Sequence, residues 1–495
     1  MMVPDCRGRR EHASQLQSAE GPLHRRIYAA LKSAIRAGRL GPDARLPSTR
    51  TLAADLNVSR NTVTLAYEQL VAEGYVVSRN RATMSVASGL PARPTSEPTQ
   101  AKLKVRPSLS AYARRLTEDR AMPPASSYAR RPGLRYDFRY GRPAVDEFPR
   151  ETWRQLLTAR ARRSSLDAFG YGPPAGYAPL REALTGYLAR ARGLSCNAEQ
   201  IVIVNGSQQA FDLIARVLLD PGDNVVIEEP HYHGSRIAFH AAGARLISVP
   251  VDSEGLDMSK VLSAAARARL CCVTPCHQFP TGVIMPLARR LGLLDWASRA
   301  GAWVVEDDYV SEFRYEGHPI EALQALDRAE RVIYVGTFSK ILFPSLRLAY
   351  VVLPTALVRS FLAAKWVADR YTTMLGQEAL TDFITSGQFE RYLRRACTRN
   401  AARRRTLIEA LRQHLGERVE IAGENAGVHL LVWLNDAKPR DVEAIIMRAA
   451  GVGVGVYPIS PYYARPLRRA GLLFGYASLT EPEIRAGIRR LADVV

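Results

Sequence analysis

Val335-Gly336-Thr337-Phe338-Ser339-Lys340-Ile341-Leu342-Phe343-Pro344-Ser345-Leu346-Arg347 is the stretch from which the rest of the chain is read. The apolar run Arg331-Val332-Ile333-Tyr334-Val335 that leads into it predicts a buried strand. The strand ends in hydroxyls, then a lysine, then an arginine seven positions on. Folding alone explains a lysine at that place poorly, although a solvated surface lysine is the usual meaning of a Ser-Lys pair. An amine that must meet an aldehyde explains it better. Pyridoxal phosphate would need that amine, phosphate partners such as Thr337 and Ser339, and a cation such as Arg347.

The 495 residues are too many for one core, so two or more domains are expected. The formal net charge is +20, and residues 1–140, with 24 basic and 11 acidic residues, hold +13 of it. Charge concentrated in one segment suggests a polyanionic partner for that segment. Cys6, Cys196, Cys271, Cys272, Cys276 and Cys397 have neither disulfide nor zinc spacing. They predict reduced thiols in a cytoplasmic protein without a metal site. No signal peptide is visible, and no apolar run reaches the roughly 18 residues of a membrane span.

Three regions follow from composition. Residues 21–88 form a compact patterned unit. Residues 89–136 are rich in Pro, Arg, Ser and Thr and predict a linker. From residue 137 to 495 apolar strands alternate with helical patterns, which predicts an α/β domain with a largely parallel sheet.

In the N-terminal unit, Ile27, Leu31, Ala34 and Ile35 make a helical stripe. A short helix follows Pro47-Ser48, Asn57-Val58 turns the chain, and Ser59 caps a helix from Arg60 to Ala72. Val63, Ala66, Tyr67 and Leu70 share that helix's inner face, while Asn61, Thr64 and Glu68 face away. This is a helix-turn-helix layout, and the alternating segments after Gly74 add a two-stranded wing. The same shape also occurs as a plain core. Arg50 and Arg60 near the helix starts, and Arg81 at the hairpin tip, favour double-stranded DNA, since arginine suits both phosphate and the guanine edge. Ser59, Asn61, Thr62 and Thr64 complete the candidate DNA-binding set.

In the larger unit five strand ends carry chemistry, and in open α/β sheets ligands sit at the carboxyl ends of strands. Ile201–Val204 leads to Asn205-Gly206-Ser207-Gln208, a possible phosphate seat at a helix start. Asn224–Ile227 leads to Glu228-Glu229-Pro230-His231-Tyr232, whose tyrosine could stack on a flat ring. Leu270–Thr274 leads to Pro275-Cys276-His277-Gln278-Phe279-Pro280-Thr281-Gly282. Ala302–Val305 leads to Glu306-Asp307-Asp308-Tyr309, three acids that are costly to bury without a cationic partner. A pyridinium nitrogen would be such a partner, and Tyr309 could bond the ring's phenolate oxygen. The fifth end is that of Lys340.

Arg45-Leu46-Pro47-Ser48-Thr49-Arg50, Val58-Ser59-Arg60-Asn61-Thr62-Val63 and Ala66-Tyr67-Glu68-Gln69-Leu70 resemble the GntR family of bacterial winged-helix regulators. That family's wing tip is usually glycine-rich, whereas here it reads Asn80-Arg81-Ala82. Residues 137–495 resemble fold-type-I pyridoxal-phosphate-dependent aminotransferases. Thr274–Gly282, Glu306–Tyr309 and Gly336–Lys340 look more narrowly like the MocR subfamily, in which the two are fused, and like its members that respond to the cofactor itself. The resemblance implies that Lys340 forms the Schiff base. It implies that Asp307, rather than Asp308, meets the pyridine nitrogen, Tyr309 the phenolic oxygen and Tyr232 the ring face. Ser207, Gln208, Thr337, Ser339 and Arg347 would hold the phosphate. It also implies a homodimer on promoter DNA and, besides the cofactor, an amine or amino-acid effector.

Four departures stand out. Leu473 stands where such aminotransferases carry the arginine that clamps a substrate carboxylate. Val310 replaces a common aspartate, Cys276 a serine and Asn400 an expected tyrosine. Leu473 disfavours ordinary turnover. The expected function is therefore a cofactor-dependent transcriptional regulator, the alternative being an active aminotransferase with a fused DNA-binding domain. A C-terminal domain that only dimerises is a third reading.

Overall fold

The computed structural model describes residues 21–80, 83–89, 108–118, 133–163, 170–264, 267–317 and 320–495. The chain divides into two compact units, residues 1–107 and 108–495.

The smaller unit holds α1 (Leu23–Arg36), α2 (Thr49–Leu56), α3 (Arg60–Ala72), β1 (Val76–Asn80) and β2 (Thr83–Val86). The Ser48 and Ser59 hydroxyls cap α2 and α3 by accepting from the amides of Thr51 and Thr62 at 3.1 and 3.2 Å. Between them Asn57 takes φ 51°, the left-handed turn that separates the two helices. Ile27, Leu31, Val63, Ala66, Tyr67, Leu70, Val76 and Val86 form the core. Tyr67 is buried because its hydroxyl donates to the Pro47 carbonyl at 2.9 Å. β1 and β2 pair antiparallel from Val76↔Val86.

The larger unit opens with α4 (Ala111–Glu118), inside the stretch whose composition suggests a plain linker. It is held against its own unit by Arg115 Nε, which donates to the Ala241 carbonyl at 2.9 Å. Among the described residues the main sheet has eight strands, in the order β4-β11-β10-β9-β8-β5-β6-β7. Its β5 (Asn224–Glu229), β6 (Arg245–Asp252), β8 (Leu270–Val273), β9 (Trp303–Asp308) and β10 (Val332–Thr337) run parallel. The edge strand β7 (Gly255–Leu256) is antiparallel to β6, and β11 (Ala349–Val352) is antiparallel to both β10 and β4 (Ile201–Val204). Helices cover both faces of the central strands, which is why β4, β8 and β10 are buried along their whole length rather than alternately. A second, antiparallel sheet, β12-β13-β16-β15, comes from the C-terminal part, where β12 is Val419–Ala422, β13 His429–Leu434, β15 Tyr457–Pro458 and β16 Ala470–Gly475. No described helix is long and apolar enough to cross a membrane.

Candidate functional site

Parallel strands set their carboxyl ends side by side, so chemistry written at several strand ends converges at one edge of the sheet. In register, Val335 lies opposite Asp307, Thr337 opposite Ala349, and Ala349 opposite Val204. The turn after β4, the turn before β11 and the Lys340 turn after β10 therefore share one region.

The first helix of that region is α7 (Ser207–Leu218), counting α5 (Arg150–Arg163) and α6 (Ala178–Arg192) before it. Gly206, with φ +81°, precedes Ser207, and a Cβ there would come within 2.6 Å of Arg347 Nη2. Arg347 donates to the Asn205 carbonyl at 2.8 Å. A guanidinium thus lies across a helix N-terminus whose amides carry positive charge, an arrangement suited to a dianionic group. Gln208 Nε2 donates to Gly234 O at 2.8 Å beside the Tyr232 ring, which leads into α8 (His233–Ala242). Thr337 Oγ1 accepts from the Ser339 amide at 3.2 Å.

A network that sequence reading missed holds this seat. Asp369 Oδ2 accepts from Asn205 Nδ2 and Gln209 Nε2, both at 2.8 Å. Its other oxygen pairs at 2.8 Å with Lys365, whose side chain is wholly buried. Both residues lie some 160 positions from the turn they brace, with no local pattern to reveal them.

Lys340 is half-buried, and its Nζ donates to the Gly141 carbonyl at 3.1 Å. Burial lowers its pKa and the nearby Asp307 opposes that shift. The three acids at the end of β9 separate by partner. Glu306 accepts from the Leu323 and Gln324 amides at 2.8 and 2.9 Å and so caps the short helix they begin. Asp308 pairs with Arg192 at 2.8 Å and accepts from the Tyr334 hydroxyl at 2.6 Å. Asp307 makes no side-chain hydrogen bond among the described residues, although it is buried. Burial, with the Asp308 and Glu228 carboxyls adding to it, raises its pKa to about 7, against the pull of Lys340. The Tyr309 hydroxyl is buried without a hydrogen-bond partner. Tyr232, Tyr309 and Phe279 stand together, each tyrosine ring 5.8 Å from that of Phe279.

Glu228 was passed over in the sequence. One oxygen accepts from Thr274 Oγ1 at 2.7 Å and Gln278 Nε2 at 3.2 Å, the other has no partner, and burial raises its pKa to about 7. His277 is buried with neither ring nitrogen bonded, under the backbone of Gly427.

The departures have separate settings. Leu473 is fully buried in one cluster with Phe279, Leu431, Ile459 and Tyr462, against which Tyr140, Tyr232 and Tyr309 pack. Cys276 Sγ lies 2.8 Å from Arg192 Nη2, Val310 joins the apolar core, and Asn400 Oδ1 is buried unpartnered. Nothing in the structure assigns an effect to these last three. Among the described residues, no three His, Cys, Asp or Glu side chains are grouped to hold a metal ion.

In the smaller unit Arg50, Asn61 and Arg60 are exposed, and Arg60 Nε donates to Thr49 Oγ1 at 3.3 Å. Ser59 and Thr62 are occupied in the cap, their hydroxyls 2.8 Å apart. Thr64 bonds back to the Arg60 carbonyl at 3.0 Å. Arg81 lies outside the described residues.

Asp307 has a measurable consequence for the stability of the chain. In the folded state it keeps its proton up to about pH 7, and when unfolded only to the ordinary carboxyl range near 4. Its contribution to stability is therefore complete below about pH 4 and lost as pH rises through 7. Asp307→Asn should be more stable than the parent at pH 8, by roughly 1–3 kcal/mol, with a shallower decline between pH 5 and 8. Some decline should remain, because Glu228 and Glu306 are also raised to about 7. Thermal unfolding of the larger unit at both pH values measures this; equal shifts at pH 5 and pH 8 would contradict it.

Residues 144–491 match the family described as aminotransferase class I and II, and residues 23–86 match the bacterial regulatory proteins of the gntR family. The chain is 38% identical to the probable rhizopine catabolism regulatory protein MocR of Rhizobium meliloti, over 96% of this chain and 94% of that protein. It is 32% identical to the HTH-type transcriptional regulator TauR of Rhodobacter capsulatus, covering 96% of each. Among solved structures it resembles the Pyrococcus horikoshii kynurenine aminotransferase, crystallised with PMP and kynurenine. The TM-score is 0.67 at 33% identity, covering 72% of this chain and 90% of that one.

Proposed function

The chain belongs to the MocR/GntR family of helix-turn-helix transcriptional regulators that carry a class I and II aminotransferase domain, and we propose that it controls transcription by reading pyridoxal phosphate at Lys340, alone or with an amine ligand. The aminotransferase family depends on that cofactor. The observation that carries the reading is the set of groups gathered around Lys340. The buried Tyr309 hydroxyl lacks a partner, Asp307 is buried unbonded, and Arg347 lies across the start of α7. Their chemistry fits a phenolic oxygen, a ring nitrogen and a phosphate in turn.

When bound, the cofactor supplies an aldehyde that bonds amines reversibly and a ring that draws electrons. Lys340 is the attachment point, and burial gives its Nζ a free electron pair at lower pH than a solvated lysine has. Asp307 would hold the ring nitrogen's proton, Tyr309 would donate to the phenolic oxygen and Tyr232 would cover the ring. Ser207, Gln208, Thr337, Ser339 and Arg347 would hold the phosphate, braced through Asp369. Leu473 offers a substrate carboxylate no partner, which favours sensing over turnover.

Domain limits of 21–88 for the DNA-binding head, 89–136 for the linker and 137–495 for the sensing domain belong to the same proposal, as does a cytoplasmic setting. Arg50, Arg60 and Asn61 would meet operator DNA, with Ser59, Thr62 and Thr64 shaping the helix start and Arg81 on the wing. A homodimer would match a two-fold operator. Tyr171 and Trp366, which are 81 and 53% exposed and both lie against the Arg370 guanidinium, offer a surface for it.

Promoter fragments bound to full-length protein and titrated with pyridoxal phosphate provide the test. The expected result is a cofactor-dependent change in affinity or footprint. Identical affinity and footprint with and without the cofactor would sink the proposal.

A further inference from the structure

We propose that the ligand read beside Lys340 is a primary amine with an uncharged body rather than an amino acid. This rests on the reading of Lys340 as the cofactor lysine and goes on to name the ligand's class. The carrying observation is the wall that the C-terminal sheet presents to that region. Leu473 is wholly buried on β16, between Leu431 on β13 and Tyr457 on β15 in register. It packs in one cluster with Phe279, Ile459 and Tyr462, and Tyr140 and Tyr309 lie against the same cluster. Tyr140 directly precedes Gly141, whose carbonyl receives Lys340 Nζ. Its hydroxyl bonds that of Tyr462, and the two rings cross at 79°. The wall is therefore aromatic and aliphatic, with phenol groups at its edge.

Among the described residues the nearby cations are committed elsewhere, Arg142 lying 3.6 Å from Asp137. Arg139 donates to the Tyr457 hydroxyl at 3.0 Å and lies 3.7 Å from Asp137. Arg192 pairs with Asp308, and Arg347 lies over the start of α7. His277 and His429 stay neutral because burial lowers both pKa values, that of His429 to about 4. The region also holds carboxyls. Asp307 lies near Lys340 and Glu228 near Asp307, and Glu229 accepts from the Ala464 and Arg465 amides just past Tyr462. A carboxylate placed between Lys340 and Leu473 would lose its water and find no uncommitted cation among the described residues. An amine with a hydroxylated or aromatic body loses nothing comparable and can use the phenols and rings.

The test uses full-length protein loaded with pyridoxal phosphate and two matched pairs, 2-phenylethylamine against L-phenylalanine and 2-aminoethanol against L-serine. Within each pair the difference is the carboxylate. Change in the loaded protein's visible band and in its thermal midpoint are both recorded, each corrected for reaction of the same compound with free cofactor. The carboxylate-free member should reach half-effect at a concentration roughly tenfold lower or better. Amino acids acting at equal or lower concentration would overturn the inference, as would indifference to all four compounds. Leu473→Arg should narrow or reverse the preference, while Leu473→Met should keep it and the parent's midpoint; a preference unchanged in Leu473→Arg that still folds also counts against it. A parent that takes up no cofactor defeats the earlier reading of Lys340 itself, an outcome visible before any amine is added.

Discussion

Lys340→Ala is expected to abolish the visible absorbance that full-length protein acquires with pyridoxal phosphate and to weaken cofactor affinity about a hundredfold or more. The physical reason is that one covalent link would be lost while the phosphate seat and ring contacts remain. A hundredfold corresponds to about 2.8 kcal/mol, modest for removing a bond to an aldehyde. The fold should survive, since among the described residues the amine's one hydrogen bond is to Gly141 O at 3.1 Å and it joins no salt bridge. DNA binding by the cofactor-free variant should match that of the cofactor-free parent, and every cofactor-dependent change in the footprint should disappear. An unaltered band in Lys340→Ala would mean that another amine carries the cofactor. A footprint that still responds would mean that sensing does not pass through this lysine.

Arg60→Ala is expected to have the largest effect on operator affinity. Arg60 opens α3 as an exposed side chain beside Thr49 of α2, at the end of the helix that enters the major groove in this layout. Loss of one base-edge contact costs about 1–3 kcal/mol, and a two-fold operator loses it twice. Operator affinity should therefore fall by roughly one to four orders of magnitude. Nonspecific DNA should lose far less, because phosphate attraction across the basic head persists. The absorbance of the cofactor-loaded protein should not change. Equal losses on operator and random DNA would reassign Arg60 to the phosphates, and loss of absorbance as well would indicate misfolding.

The features that could be read in advance were those written over a few consecutive residues. The capped helices of the head depend on Ser48, Ser59 and a left-handed Asn57, all local choices. The strand ends could be found because each buried strand stops at a visibly polar turn. α4 was not legible. Its eight residues have a linker's composition and hold their place through Arg115 and the Ala241 carbonyl, 126 positions away. The Lys365–Asp369 brace was hidden for the same reason, since its purpose lies at Asn205 and Gln209.

Glu306, Asp307 and Asp308 mark the division most clearly. Strand alternation is a local property, so consecutive residues alone determined that Asp307 and Asp308 face opposite ways. They also placed a lysine, an acid and a phosphate seat at the ends of strands. Which acid would be left for a ligand was decided only by the tertiary structure. Glu306 is taken by amides 17 and 18 residues later, and Asp308 by an arginine 116 residues earlier. Asp307 keeps its buried, unbonded carboxyl because neither distant segment reaches its side of the strand. A buried charge is assigned by whichever partner arrives in three dimensions, and no pattern within the strand records that arrival.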